Sequence, residues 1–161
     1  MLIWFALATF ALTFGAVLLF GAPYLPTMRR QREAALDLLD LKPGQVFYDL
    51  GCGDGRLLRA AAKRGLWATG YELNPFLVLV AWLSTRRYGS LVSVRWANFW
   101  RADISDADGV FAFLITPYMP KLDSYMKVQK FDRPVKLASY GFQIPGRKPI
   151  KKSNGIFLYI Y

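Results

Sequence analysis

The hydrophobic pattern divides this chain near its start. Residues 2–22, LIWFALATFALTFGAVLLFGA, are apolar apart from two threonines, and the first charged side chain is Arg29. As a helix such a run spans about 30 Å, the hydrocarbon thickness of a bilayer. No basic residue precedes it, and it is too long for a signal-peptide core, so a retained membrane anchor is expected rather than a cleaved leader or a buried core helix. The two prolines of PYLPT then make a stiff connector. From there the pattern turns helical. Thr27 is the expected N-cap of a helix running to about Asp40, with Met28, Ala34, Ala35, Leu38 and Leu39 on one face.

Beyond LKPG, short apolar runs alternate with helical stretches. QVFYDL reads as a buried strand and GRLLRAAAKRG as a helix ended by glycine. LWATGYE is a second strand. NPFLVLVAWLSTRRYG opens as a helix, with Asn as N-cap and Pro at its first position. LVSVRWAN, GVFAFLIT and VKLASYGF are further strands, with a helix over PKLDSYMKVQ. GIFLYIY is the last strand, paired with the weaker KPIKK segment. Repeated βα units predict an α/β, doubly wound, mostly parallel Rossmann-like sheet with a C-terminal antiparallel hairpin. The expected organisation is an anchor over 1–22, a connector and cap helix over 23–44, and one catalytic domain over 45–161.

Charge locates the domain. The chain of 161 residues has a net charge of +10, all of it beyond the apolar run, and residues 133–161 hold six basic side chains and no acid. Arg29, Arg30 and Arg32 just past the run place the domain on the cytoplasmic side of a single-pass membrane protein by the positive-inside rule. Beside an anchor, a basic face suits anionic lipid headgroups better than nucleic acid, which is an unlikely partner. Cys52 is the sole cysteine, so no intrachain disulfide forms and no zinc cluster is expected. Histidine is absent, which excludes Ser-His and Cys-His nucleophilic catalysis.

The candidate chemistry begins at DLGCGDGR, residues 49–56. Its spacing is G-x-G-x-G, not the G-x-G-x-x-G of a dinucleotide turn. Asp49 ends the strand and Asp54 lies within the loop, and both would repel a pyrophosphate. Acids here suit a cationic cofactor, and S-adenosyl-L-methionine carries an ammonium and a sulfonium. Glu72 lies 19 residues beyond Gly53 at the end of the next strand, where a carboxylate can accept both ribose hydroxyls. Asn98 follows the third strand and could read the adenine edge, with Leu73 or Phe99 against the ring; it could equally be a helix N-cap. Cys52 fits as a small filler of the turn.

DLGCGDGR and GYELNP resemble the first two motifs of class I S-adenosylmethionine-dependent methyltransferases, from about Gln45 to Tyr161. The resemblance implies backbone contacts from Gly51 and Gly53 to the methionine portion and Glu72 on the ribose. It places Asn98 where many members carry an acid at the adenine. The apolar N-terminal segment, PYLPT and a Pro-containing turn after the fourth strand further resemble membrane-linked protein lysine methyltransferases. Mitochondrial members of that group modify the adenine nucleotide translocase and the ATP synthase c-subunit. The implied substrate is a membrane-protein loop, and the implied reaction is in-line methyl transfer to a desolvated amine. Methylation of a lipid or quinone-like small molecule, or a tethered cofactor-binding protein without turnover, are the alternatives.

The nucleophile should be received after the fourth strand, in ITPYMP. Thr116, Pro117 and Tyr118 are the candidate catalytic residues, with Tyr118 walling the amine or only packing the loop. Tyr24, between anchor and cap helix, is a candidate substrate contact or lid, and equally a membrane-interface tyrosine.

Overall fold

The computed structural model describes residues 27–161, together with Met1 and Trp4. The expected anchor and the connector, Tyr24 included, lie outside the described residues. Among the described residues, no helix is long and apolar enough to cross a membrane.

The strands are β1 (Val46–Leu50), β2 (Trp67–Glu72), β3 (Val92–Trp96), β4 (Gly109–Ala112), β5 (Lys136–Tyr140), β6 (Lys151–Ser153) and β7 (Ile156–Ile160). The α-helices are α1 (Arg29–Leu39), α2 (Arg56–Lys63), α3 (Pro75–Thr85) and α4 (Met119–Val128). One seven-stranded sheet runs in the order β3-β2-β1-β4-β5-β7-β6. β1 to β5 pair in parallel, and β7 is antiparallel to both β5 and β6. The strand order reverses between β1 and β4, which places a ligand site beyond the carboxyl end of β1.

Side chains alternate across the pleat and so divide the core. Phe47, Ala68, Phe111, Ala138 and Leu158 point to one face, where Leu36 and Leu39 of α1, Leu58 and Ala61 of α2 and Ala81 of α3 cover them. Tyr48, Tyr71, Val110, Leu137 and Tyr159 point to the other, against Leu122, Tyr125 and Met126 of α4. Each fully buried Leu on either face contributes about 1.5–3 kcal/mol of transfer free energy. Lys136 of β5 donates Nζ to the Leu39 carbonyl at 2.6 Å. That cation sits at the negative end of the α1 dipole and ties the helix to the sheet.

Two details depart from the sequence expectation, and a third refines it. Thr27 does not cap α1: Met28 is the N-cap residue, without a side-chain bond. Instead the Thr27 carbonyl accepts from Arg32 Nη1 at 2.7 Å, and Met28 is exposed. β4 ends at Ala112 rather than near Thr116, because its neighbour β1 turns away at Gly51, directly past the Leu50–Ala112 pair. The final hairpin is closed by Asn154-Gly155, both at positive φ (49° and 77°), a two-residue primed turn whose sequence signature precedes the strand it sets.

Candidate functional site

The Gly-rich turn is held over β2 by backbone bonds. Gly51 N and Cys52 N both donate to the Tyr71 carbonyl, at 3.0 and 2.9 Å, and Gly55 N donates to the Cys52 carbonyl at 2.9 Å. Gly51, Gly53 and Gly55 all have positive φ, which is why side-chain-bearing residues do not replace them cheaply. The close approach has a partner in β2. A Cβ on Gly70 would lie 2.6 Å from Cys52 Cβ and 2.7 Å from its Sγ. Cys52 is buried there as a filler, and burial pushes its thiol up, away from the reactive thiolate.

Glu72 organises the site. One carboxylate oxygen accepts from Gly53 N at 3.0 Å, and the other from Leu73 N and Asn74 N at 2.8 and 2.9 Å. Three backbone donors fix the carboxyl group between the two strand ends, and its remaining acceptor positions can meet vicinal hydroxyls. Asn74 next to it caps α3, accepting from Phe76 N and Leu77 N, with Pro75 at the first helical position.

The two acids of the turn have different fates. Asp54 is clamped by Arg56, whose Nε and Nη2 reach its oxygens at 2.9 and 2.7 Å. Burial works to raise its pKa, and the hydrogen bonds and charges of Arg56, with the charge of Arg59, outweigh it and hold the carboxyl below its usual value. Asp49 has no such partner. It is buried, and no described side chain donates to it. Burial first, then the charges of Glu72 and Asp54, push its pKa up to about 8. A cationic ligand at Gly51 would supply the missing counter-charge, whereas a pyrophosphate would be repelled.

Asp49, Gly51, Gly53 and Glu72 are thus brought together, as the sequence suggested. The adenine-side residues are arranged less simply. Asn98 is exposed and caps the single turn Phe99–Arg101, its Oδ1 accepting from Trp100 N at 3.1 Å. Its amide nitrogen remains available to a base. Phe99 points into the α4-side core, 4.4 Å from the Trp100 ring. Leu73 is half-buried at the rim, and its carbonyl accepts from Trp96 Nε1 at 3.0 Å. Trp96 is therefore a rim residue that the sequence argument passed over, although its place beside Asn98 signalled it.

On the acceptor side, Thr116 and Pro117 are exposed in the single turn Thr116–Tyr118, and Tyr118 packs against the α4-side core. The strand register also brings two further residues to the row of the turn. Ala112 pairs with Leu50 and with Ser139, so Phe113 and Tyr140 follow in the row of Gly51. By alternation they share the sheet face of Asp49 and Glu72, and their rings lie 4.5 Å apart. α1 adds two buried polar atoms without a partner among the described residues, Gln31 Oε1 and Arg32 Nε. Burial and the charge of Arg56 lower the Arg32 pKa, which puts its guanidinium beside the Asp54–Arg56 clamp.

Comparison with known proteins agrees with this geometry. The family described as the ANTKMT methyltransferase domain matches residues 49–151. Adenine nucleotide translocase lysine N-methyltransferase of Mus musculus is 36% identical over 133 residues, 80% of this chain and 56% of its own. The chain thus spans little more than half the length of that relative. A protein-lysine N-methyltransferase of Saccharolobus islandicus is 32% identical over 86% of this chain and 92% of its own. The solved RNA methyltransferase from Salinibacter ruber, in complex with S-adenosyl-L-homocysteine, superposes with a TM-score of 0.76 at 30% identity, covering 85% of this chain and 92% of that one.

Proposed function

This chain belongs to the ANTKMT methyltransferase domain family, and from that premise we propose that it is an S-adenosylmethionine-dependent protein-lysine N-methyltransferase. The observation that carries the proposal is the buried Asp49, unpaired among the described residues, beside a Glu72 carboxylate fixed by Gly53, Leu73 and Asn74. Asp49 fits the positive charge of the methionine portion, and Glu72 fits the ribose. The cofactor supplies an activated methyl group, and the protein supplies alignment and charge.

Phe113 and Tyr140 are placed to wall the acceptor amine. A lysine is protonated in water, with a pKa of about 10.4. Apolar walls disfavour its ammonium form and so release the lone pair for attack. The faces of the two rings would stabilise positive charge developing on the acceptor nitrogen. The Tyr140 hydroxyl can accept from the amine and orient it. No strong base is needed, since the methylated ammonium loses its proton to water.

The names of the mouse and Saccharolobus relatives support a protein acceptor, and that of the mouse relative supports a membrane protein. Residues 1–22 would then act as the anchor, with the catalytic domain on the cytoplasmic side, a placement supported by the uncharged run and Arg29, Arg30 and Arg32 behind it. An anchor raises the effective concentration of acceptors at the same surface.

The test is to incubate membranes with methyl-labelled cofactor and either the wild type or Glu72→Ala. Label that depends on Glu72, is protease-sensitive and is recovered as methyl-lysine after acid hydrolysis is the expected result. Solvent-extractable label would replace the proposal with a lipid or quinone acceptor, and nuclease-sensitive label with a nucleic acid. Equal labelling by both proteins would remove Glu72 from the site.

A further inference from the structure

Helix α3 is apolar on both sides. Its inner side, Ala81 and Thr85, packs against Gly55, where an added Cβ would meet Thr85 Cγ2 at 3.1 Å and Ala81 Cβ at 3.2 Å. Its outer side carries Leu79, Trp82 and Leu83, which are 52%, 54% and 46% exposed. A helix on the surface of a globular domain normally turns polar residues outward. Here Leu79 and Leu83 form one row, Trp82 lies beside it, and exposed Arg86 and Arg87 continue it beyond the helix end. The edge strand β3 adds Trp96, 68% exposed. Residues 73–102 hold four arginines and no Asp or Glu.

We infer that this edge of the domain, the outer row of α3 with the end of β3, lies against the headgroup region of an anionic bilayer. Leucines sink their side chains into the acyl boundary, tryptophan favours the interface, and arginines at the margin meet lipid phosphates. The charge pattern selects this occupant. A second copy of the chain would set Arg86 and Arg87 against the same pair, on molecules each carrying +10. An anionic surface gains from the same charges.

The arrangement also aims the catalytic site. α3 begins three residues after Glu72, and its 11 residues span about 16 Å. The cofactor mouth therefore opens within a helix length of the headgroups, sideways along the membrane surface. An acceptor loop emerging from the bilayer is then reached without the domain reorienting. This docking is separate from the anchor: an anchor tethers the domain at any angle, whereas the α3 edge fixes one.

The experiment uses the full chain with an environment-sensitive fluorophore on Leu79→Cys, and on Val128→Cys of α4 as the control on the opposite sheet face. The native Cys52 is buried, so the introduced thiol takes the label. Protein is mixed with vesicles of phosphatidylcholine alone or with phosphatidylglycerol, and binding of the chain is followed by sedimentation. With anionic vesicles, the label at 79 shifts to the blue and is quenched by lipids brominated near the headgroup, while the label at 128 stays in water. Replacing Arg86 and Arg87 by Gln lowers the ratio of lipid-embedded to aqueous label at 79 by about fivefold per arginine. A label at 79 that stays in water while the chain sediments with vesicles overturns the inference and leaves the anchor as the sole attachment. So does a blue shift that needs no vesicles and rises with protein concentration, which would make a second copy the occupant. An equal shift in neutral and anionic vesicles refutes the charge argument.

Discussion

The buried Asp49 makes cofactor binding a proton-linked reaction. Its pKa stands at about 8 in the ligand-free protein, for want of a counter-charge. At pH 7 roughly nine in ten molecules therefore hold a proton on Asp49. A bound ammonium favours the carboxylate, so binding at pH 7 must release nearly that whole proton. Affinity then rises about tenfold with each pH unit on the way up to 8, since each unit removes one factor of ten in the cost of ionising the site. The ligand's own amino group titrates in the same region as other α-amino groups, near 7.7–8.0, so affinity peaks at about pH 8 rather than rising to a plateau. Stability follows the opposite sign. The folded pKa lies above the unfolded one, so the ligand-free fold retains a proton that the unfolded chain has already lost. Its stability falls as pH rises from the ordinary carboxylate range to about 8. Titration calorimetry at pH 7 in two buffers of different ionisation heat measures the released proton directly. Melting curves with and without cofactor should diverge as pH rises from 6 to 8. Asp49→Asn should abolish proton release, flatten the pH profile of Kd and stabilise the ligand-free protein at pH 8. Buffer-independent heats with a pH-independent Kd would show that Asp49 binds its ligand already ionised, and the electrostatic argument for the site would fall.

Three other substitutions test the parts of the site separately. Gly70→Ala forces a Cβ into Cys52 and should cost about 1–3 kcal/mol, read as a drop in melting temperature. A Cβ at 70 would also meet Leu58 Cδ1 at 2.6 Å, so adding Cys52→Ala, which removes only the Sγ contact, should restore part of the loss and not all of it. Full recovery would mean that Leu58 and the Cys52 Cβ yield freely. Glu72→Gln sets an amide NH₂ against a backbone donor and should weaken cofactor binding by about 10- to 100-fold in calorimetry. An unchanged Kd would show that those three backbone bonds serve the fold alone. Phe113→Ala and Tyr140→Phe should lower kcat on the acceptor while leaving cofactor Kd unchanged; a loss confined to cofactor Kd would place the ring pair at the cofactor instead.

Much of the sheet was legible because its signals are local. Asn74-Pro75 at the head of α3, the buried run ending at Asp49 and the glycines that follow each dictate backbone geometry within a few residues. Asp49 and Glu72 were legible for the same reason, as acids at strand ends flanking a turn. What escaped depends on register and on neighbours distant in sequence. Asp54 looked like a second acid for the cofactor until Arg56 was seen to clamp it. Phe113 and Tyr140 are 27 positions apart, and only the pairing of Ala112 with Ser139 sets them side by side. Phe99 looked like an adenine contact beside Asn98, yet the single turn that Asn98 caps rotates it into the core. Thr27 resembled an N-cap, but Arg32 takes its carbonyl and the helix starts one residue later.

The two faces of the sheet carry different loads. The α4 side is closed by aromatic packing: Trp100 and Tyr125 meet edge-on at 5.7 Å, and the Tyr125 hydroxyl donates to the Ala102 carbonyl at 3.0 Å. Among the described residues, no fully buried side-chain nitrogen or oxygen on this side lacks a hydrogen-bond partner. The α1–α3 side holds the unmatched groups: Asp49 without a counter-charge, Gln31 Oε1 and Arg32 Nε without partners among the described residues. Unpaired buried polar groups destabilise a fold unless a ligand completes them. Their confinement to one face, beside a carboxylate already fixed by three amides, makes cofactor binding a completion of the core as well as a step toward catalysis. Ligand should therefore protect the amides of α1, β1 and the Gly51–Gly55 turn from hydrogen exchange more than those of α4, and uniform protection of both faces would contradict this division.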